Sequence, residues 1–253
     1  MLSKNRLKEI KKLTQKKNRI NSPEILVEGK RIIEQIISNG YFPELLFINE
    51  TKKEAKAIIE KSKRHIIEYV SSQTIAQLTE TKSPQDIVGL FRKPKLNFPD
   101  QGNFLYLDSL RDPGNMGTIF RTAAAFNIDG IFISSDSCEV FSPKVIRSSL
   151  GAIYTVPFKE IELADISLPN CDIFSTELGG IPITEVTTFK QNMIIVIGNE
   201  ANGVSEKNSK LASQKVTIPI SDKMESLNAS VATSISVFNL MWNKYGNQFF
   251  NRQ

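Results

Sequence analysis

The 253-residue chain predicts an α/β protein in two parts, a compact α/β domain followed by a larger one built on a mostly parallel sheet. Three observations carry that prediction. Apolar runs at residues 104–107, 130–134, 172–175, 193–197 and 216–220 are separated by helix-length segments, the alternation of a parallel sheet with helices on both faces. The run at 92–102, RKPKLNFPDQG, is mostly polar with two prolines and a glycine, and reads as a linker. Charge divides at the same place: residues 1–95 carry 20 Lys/Arg against 11 Asp/Glu, and the remainder 12 against 16. The domains expected are therefore 1–95 and 103–253.

In the front part, residues 24–27 and 45–48 read as short strands with a helix over 29–38 between them, and 66–70 and 87–91 are further strands. Lys4, Arg6, Lys8, Lys11, Lys12, Lys16, Lys17 and Arg19 lie within the first twenty residues against Glu9 alone. Such a run is either the footprint of a phosphate-backbone partner or a solvated, solubilising helix. Its large apolar residues are too few for a membrane anchor, and no apolar run approaches the roughly 18 residues of a membrane span. No apolar segment follows the basic start, so a secretory signal is not expected. Cys138 and Cys171 fit a reducing cytoplasm, as small core hydrophobes. His65, the single histidine, sits in the charged run KSKRH, so a zinc site or a His-based triad has almost nothing to build from and no metal is expected.

Ligands of open parallel sheets bind at the carboxyl ends of the strands, which directs attention to three loops. After 104–107 comes DSLRDPGNMGTIFRTAAAFN, with a turn at Asp112-Pro113-Gly114, Asn115 able to cap, and a helix over 117–126. Asn115 and Arg121 lie well apart around an ideal helix, so both reach one ligand only if Asn115 belongs to the loop. Arg121 reads equally as a surface ion-pair residue or as a bidentate binder of phosphate or carboxylate. After 193–197 comes Gly198-Asn199-Glu200-Ala201-Asn202-Gly203, where two glycines allow a tight turn with backbone facing a ligand and a carboxylate projecting into the cleft. It is neither a Walker loop nor a dinucleotide fingerprint.

The third stretch, residues 216–238, reads as a strand, a turn at 221–225 and a helix from Ser226. Leu227, Val231, Ile235 and Phe238 fall at helical spacing, and taken alone this is an amphipathic core helix. Its other positions, Ala229, Ser230, Ala232, Thr233, Ser234 and Ser236, are small and would let backbone or ligand approach closely.

In combination, N-x-G-x-x-x-R at 115–121, I-G-N-E-x-x-G at 197–203 and I-P…S-L-N-x-S-V-A at 218–232 resemble the SpoU (TrmH) family of RNA ribose 2′-O-methyltransferases, in order and in spacing. PKVIRSSLGA at 143–152 is similar to the family segment that follows its second strand. Val27-Glu28-Gly29 and Ser83-Pro84-Gln85 resemble the L30e-like substrate-binding domain attached to many members. The resemblance covers nearly the whole chain.

It implies an α/β-knot domain, its carboxyl-terminal part threaded as a deep trefoil knot, an exception to the rule against knotted chains. It implies S-adenosylmethionine bound in a bent form near Thr176, Gly198, Ile218 and Leu227, with Asn199 and Gly203 in the same loop. It implies a homodimer with the active site near the interface, so that the segment 239–250, with Trp242 and Phe249, packs on a partner or within its own chain. Arg121, Asn115, Glu200, Ser226 and Asn228 are the implied catalytic set. A guanidinium is a poor base at neutral pH, which favours Arg121 as a clamp on the adjacent phosphate that stabilises charge developing on the ribose oxygen. Asn115 would position the ribose or support Arg121, Glu200 would orient Arg121 or the loop, and Ser226 and Asn228 would hold substrate or cofactor. The expected substrate is ribosomal RNA; transfer RNA, or RNA binding without catalysis, are the rival readings. Asp222 stands where many members have glycine, so the turn there carries a different geometry or a side-chain hydrogen bond, and Ala201-Asn202 replaces a more glycine-rich sequence.

Overall fold

A computed structural model describes residues 3–51 and 66–248; His65 and Phe249 lie outside the described residues. The chain forms two compact units, Met1–Lys95 with Glu139–Thr155, and Leu96–Cys138 with Val156–Gln253.

In the first unit, β1 (Glu24–Glu28), β2 (Leu45–Asn49), β3 (Ile66–Val70) and β4 (Ile87–Arg92) make a four-stranded sheet in the order β1-β4-β2-β3. The β1/β4 and β2/β4 pairs are antiparallel and β2/β3 is parallel. The helix Lys30–Ser38 places Ile32, Ile33, Ile36 and Ile37 on one face, and all are buried. Gly29, at φ +108, is the hinge between β1 and this helix; a Cβ there would lie 2.7 Å from Gln85 Oε1. Ile10, Leu13, Leu45, Phe47, Ile75, Leu78, Val88 and Leu90 form a core beneath the amino-terminal helix Lys4–Lys11.

The basic amino-terminal run is smaller as a surface feature than its sequence suggests. Arg19 is 5% exposed, and its Nε and Nη2 donate to the Glu139 carboxylate at 2.8 and 3.0 Å. Its Nη1 donates to the carbonyls of Leu13 and Thr14 at 3.0 and 2.7 Å. Arg6 pairs with Glu24, and Lys12 with Glu9 at 2.8 Å. Lys4, Lys8, Lys16 and Lys17 remain exposed.

In the second unit, β5 (Asn103–Leu107), β6 (Gly130–Ile133), β7 (Phe158–Glu160), β8 (Cys171–Pro182), β9 (Asn192–Ile197) and β10 (Gln214–Thr217) form a six-stranded sheet in the order β10-β8-β9-β5-β6-β7, with every pair parallel. The central β5 and β9 are buried along their whole length, as strands covered on both faces must be. β7 was not expected: its three residues, Phe-Lys-Glu, carry no apolar run. β10 stops at Thr217 rather than 220, because Pro219 has no N–H to offer a ladder.

Two helices depart from the sequence reading. Pro113–Ala125 starts earlier than expected, capped by Asp112, whose Oδ1 accepts from the Asn115 N–H at 2.8 Å, with Pro113 in the favoured first position. Asn115 is therefore helical and not the cap. Ala229–Tyr245 starts later than Ser226, with Asn228 as its cap. The expected core stripe of that helix is its outer face: Val231 and Phe238 are each 46% exposed. The face turned inward is Ala229, Ser230, Thr233, Ser236, Val237, Leu240 and Met241, so most of the small residues are the packed ones. Cys138 and Cys171 are half-buried rather than core, and form no disulfide. Among the described residues no helix is long and apolar enough to cross a membrane.

The Arg19–Glu139 pair gives a direct test. Arg19→Ala leaves the Glu139 carboxylate without its bidentate partner, and is expected to cost about 3–5 kcal/mol by urea denaturation; a loss below about 1 kcal/mol would show that the pair does not hold these segments together.

Candidate functional site

The order of the second sheet reverses between β5 and β9. From β5 the chain steps outward to β6 and β7, then returns to build β8, β9 and β10 on the other side. A crevice opens at the carboxyl ends of the strands at such a switch point. Leu107 pairs with Ile197, so the loop after β5 and the loop after β9 leave the sheet side by side.

The loop after β9 is a closed turn. Asn199 and Gly203 exchange both backbone hydrogen bonds at 2.9 Å, and Gly203 sits at φ +66. A Cβ on Gly198 would lie 2.1 Å from the Gly203 carbonyl carbon, so glycine is required by close backbone approach. The Asn199 side chain is spent within this frame: Nδ2 donates to the Ser109 carbonyl at 2.7 Å and Oδ1 accepts from the Ala201 N–H at 2.8 Å.

Beside it, β8 and β10 slip in register. Ser175 pairs with Lys215 and Ile181 with Val216, so residues 176–180 loop out of the ladder. Thr176 Oγ1 donates to the Val196 carbonyl at 2.8 Å. Glu177 accepts from Ser175 Oγ at 2.5 Å and pairs with Lys215 at 3.1 Å. Burial raises its carboxyl, but the hydrogen bonds from Ser175, Ser209 and Lys215 outweigh burial and hold it below the usual carboxylate range.

These loops, with the end of β10 and the start of the last helix, enclose a cavity of about 480 Å³, within the range of small-molecule sites. Thr176, Gly198, Asn199, Gly203, Ile218 and Leu227 all line it, as do Glu200 and Ser226. Glu177, Glu200 and Glu225 bring carboxylates to the wall, and among the described residues no Lys, Arg or His lines it. Such a wall suits a cationic ligand and opposes a polyphosphate. The Glu177 carboxylate was not anticipated from sequence; its signal is its place directly after Thr176 on a strand that feeds the crevice.

A chain of carboxamides runs at the edge of the cavity. Asn228 Nδ2 donates to Asn115 Oδ1 at 3.0 Å, and Asn115 Nδ2 donates to Glu200 Oε1 at 2.7 Å. Asn228 Oδ1 meanwhile accepts from the Ser230 and Val231 N–H groups at 3.0 and 3.3 Å, capping the helix. The three loops singled out in sequence are thus joined through Asn115, Glu200 and Asn228. Arg121 is not among them. It lies about 9 Å further along its helix and about 120° around it from Asn115, is exposed, and makes no hydrogen bond or ion pair among the described residues. The condition set above, an Asn115 in the loop, is not met, so the two side chains diverge within one chain.

The turn at Asp222 is held by its neighbour. Ser221 Oγ accepts from the Lys223 N–H at 3.4 Å and its carbonyl from the Met224 N–H at 3.3 Å. Among the described residues, positive φ at non-glycine positions occurs at Ser109, Asn127, Leu150 and Asn170, so residue 222 does not demand glycine. Burial pushes the Cys171 thiol up to about 11, which removes it as a nucleophile at neutral pH.

Residues 102–238 match the SpoU rRNA Methylase family, and residues 4–89 match the MRM3-like substrate binding domain. The 23S rRNA (guanosine(2553)-2′-O)-methyltransferase RlmP of Bacillus subtilis is 28% identical over 242 residues, covering 93% of this chain and 95% of that protein. The 23S rRNA (uridine(2479)-2′-O)-methyltransferase of Streptomyces viridochromogenes is 25% identical, covering 89% and 85%. The fold is shared with the SpoU methyltransferase AviRb of Streptomyces viridochromogenes, crystallised with AdoMet, at a TM-score of 0.78 and 22% identity over 94% of this chain and 97% of that one. A putative RNA methyltransferase of the TrmH family from Porphyromonas gingivalis superposes at 0.77 with 26% identity, covering 94% and 98%.

Gly198→Ala tests the closed turn. Backbone lies on the side the new methyl must enter, so a loss of about 1–3 kcal/mol is expected in chemical denaturation, whereas Gly40→Ala, where a Cβ meets nothing within 4 Å, costs only the strain of its positive φ. Equal losses for the two variants would refute the packing argument.

Proposed function

The chain belongs to the SpoU rRNA methylase family, and from that premise we propose that it transfers a methyl group from S-adenosylmethionine to a ribose 2′-hydroxyl of ribosomal RNA. The observation that carries the reading is the cavity at the β5/β9 switch point, walled by aliphatic residues, two glycines and three glutamates, with no basic side chain among the described residues. Its size and its negative wall fit a sulfonium-bearing nucleoside. The Bacillus subtilis and Streptomyces viridochromogenes relatives are 23S rRNA 2′-O-methyltransferases, which favours ribosomal over transfer RNA and catalysis over binding alone. Residues 1–95 would bind the RNA and 103–253 carry the reaction, in the cytoplasm, where two cysteines outside any disulfide are at home.

S-adenosylmethionine, when bound, supplies an electrophilic methyl group. This chain's residues do the rest. Backbone at Thr176, Gly198, Asn199, Gly203, Ile218 and Leu227 shapes the cofactor wall, with the Thr176 and Asn199 side chains already bonded inward. Glu200 and Asn228 fix the Asn115 carboxamide from its two ends. Asn115 keeps a second N–H that can meet a ribose oxygen. Ser226, exposed beside the cavity, is placed to hold substrate. Arg121 clamps the neighbouring phosphate and stabilises the developing oxyanion; the proton leaves to phosphate or water.

Because Arg121 diverges from Asn115 within one chain, the complete site calls for a second copy. A homodimer is supported by the outer face of the helix Ala229–Tyr245, where Val231 and Phe238 are each 46% exposed, Trp242 is 39% exposed, and the Phe238 and Trp242 rings stack at 6.3 Å. The threaded knot is supported by the way residues from 176, 197–204, 216–220 and 225–232 close on one cavity, with the small side chains of the last helix packed inward.

Mapping ribose methylation on ribosomal RNA with and without the protein is expected to show one site gained; a map without change would sink the reading. Arg121→Lys retains charge but loses the bidentate fork, and a fall in kcat of about 100-fold is expected across the pH–rate profile, with near wild-type rates counting against the clamp. Phe238→Glu is expected to convert a dimer to a monomer in light scattering, with loss of turnover; a wild-type monomer that turns over would remove the interface.

A further inference from the structure

The loop that walls the cofactor cavity has no ladder of its own beyond the Asn199–Gly203 bridge, yet it must carry both the cavity wall and Glu200. What fixes it comes from the strand beside it. Asp108, the first residue after β5, is 1% exposed, and its Oδ2 accepts from the Ser205 N–H at 2.7 Å. Its own N–H donates to the Ile197 carbonyl at 2.9 Å. The next residue, Ser109, presents its carbonyl to Asn199 Nδ2 at 2.7 Å. One end of the loop is thus held by Ser109 and the other by Asp108.

Ser109 takes a conformation that L side chains rarely adopt, φ +57, and the surroundings hold it there. Its N–H donates to Ser134 Oγ at 2.8 Å, and its Oγ donates to Asp136 Oδ2 at 2.6 Å. Ser134 Oγ donates to Asp136 Oδ1 at 2.7 Å. These bonds, with burial opposing them, keep the Asp136 carboxyl below the usual carboxylate range. The end of β6 therefore braces the end of β5, which in turn holds the loop after β9.

We propose that Asp108 is a positioning residue for the methyl-transfer site: its buried carboxylate clasps the Ser205 amide and keeps the loop 198–205 closed in its cofactor-binding form before the cofactor arrives. The proposal rests on the reading of the cavity as the S-adenosylmethionine site. Removing a buried acceptor leaves the Ser205 N–H without its partner and a loop whose open form competes with binding. Apparent affinity then falls by the fraction of molecules still closed. The energy of cofactor binding recloses the loop, so turnover at saturating cofactor is largely kept.

The test uses the full chain with S-adenosylmethionine as the probe in calorimetry, together with hydrogen exchange of the amides at 199–205. Asp108→Ala is expected to weaken cofactor binding about 10-fold or more and to speed exchange at Ser205 by at least as much, with the RNA KM unchanged and kcat within about threefold. Asp108→Asn keeps an oxygen acceptor and is expected to recover affinity to within about threefold of wild type. Should Asp108→Ala fail to fold, Ser205→Pro removes the same N–H from the other side, at a residue whose φ of −63 already suits proline, and is expected to match the alanine effect on affinity and on exchange of the remaining loop amides. Loop exchange unchanged in the folded variants, or a cofactor affinity within twofold of wild type, overturns the proposal. A wild-type protein that binds no S-adenosylmethionine defeats the reading of the cavity instead, and the exchange measurement still decides whether Asp108 closes the loop.

Discussion

The register between β5 and β9 is the constraint from which the site follows. Leu107 stands opposite Ile197 in a parallel pair, and both strands are buried from end to end, so neither can slide without exposing apolar surface or losing its ladder. Two loops with different jobs are forced to leave the sheet at the same point. One turns back into a helix that carries Asn115, and the other closes on itself with Glu200 at its tip; the 2.7 Å bond between those side chains is a consequence of strand pairing. Because the strand order reverses here, no crossover helix covers the gap, and a cavity is left.

Close backbone approach shapes the loops around that cavity. Gly198 is held against the Gly203 carbonyl and Gly180 against the Lys215 backbone, approaches that a methyl group would prevent. The helix that follows packs inward through Ala229, Ser230, Thr233 and Ser236, where larger residues would push the loops apart. Polar side chains nearby are bonded into the frame: Thr176 to the Val196 carbonyl, Asn199 to Ser109, Asn228 to the amides of its own helix. The charges left facing the cavity are carboxylates, so selectivity by sign of charge comes from what the wall omits as much as from what it presents.

The first unit uses charge in another way. Arg19, counted by sequence among a run of surface cations, is the centre of a buried set of bonds to Glu139 and to two carbonyls. Of the exposed cations in that run, Arg6 and Lys12 are paired with Glu24 and Glu9, whereas Lys4, Lys8, Lys16 and Lys17 are exposed lysines, flexible point charges of the kind that meet a phosphate backbone.

Sequence by itself determined every strand of the two sheets except β7, since runs such as NFLYL and NMIIVI are long enough and apolar enough to be strands, and it named the three loops that follow β5, β9 and β10. It misread what depends on a partner distant in the chain. Val231 and Phe238 have helical spacing whether they face in or out, and the buried face proves to be that of Ala229, Ser230, Thr233, Ser236, Val237, Leu240 and Met241, beside which Ser234 bonds Thr122, 112 residues away, at 2.8 Å. Arg19 looks like any surface cation until Glu139 arrives beside it. Asp112 and Asn115 could each cap the helix that follows β5, and Asp112 does, by accepting from the Asn115 N–H. Periodicity and turn chemistry are local energies, written in neighbouring residues; burial, pairing and the convergence of Asn115, Glu200 and Asn228 are energies of contact between segments that the chain order keeps apart, and only the folded sheet brings them within reach.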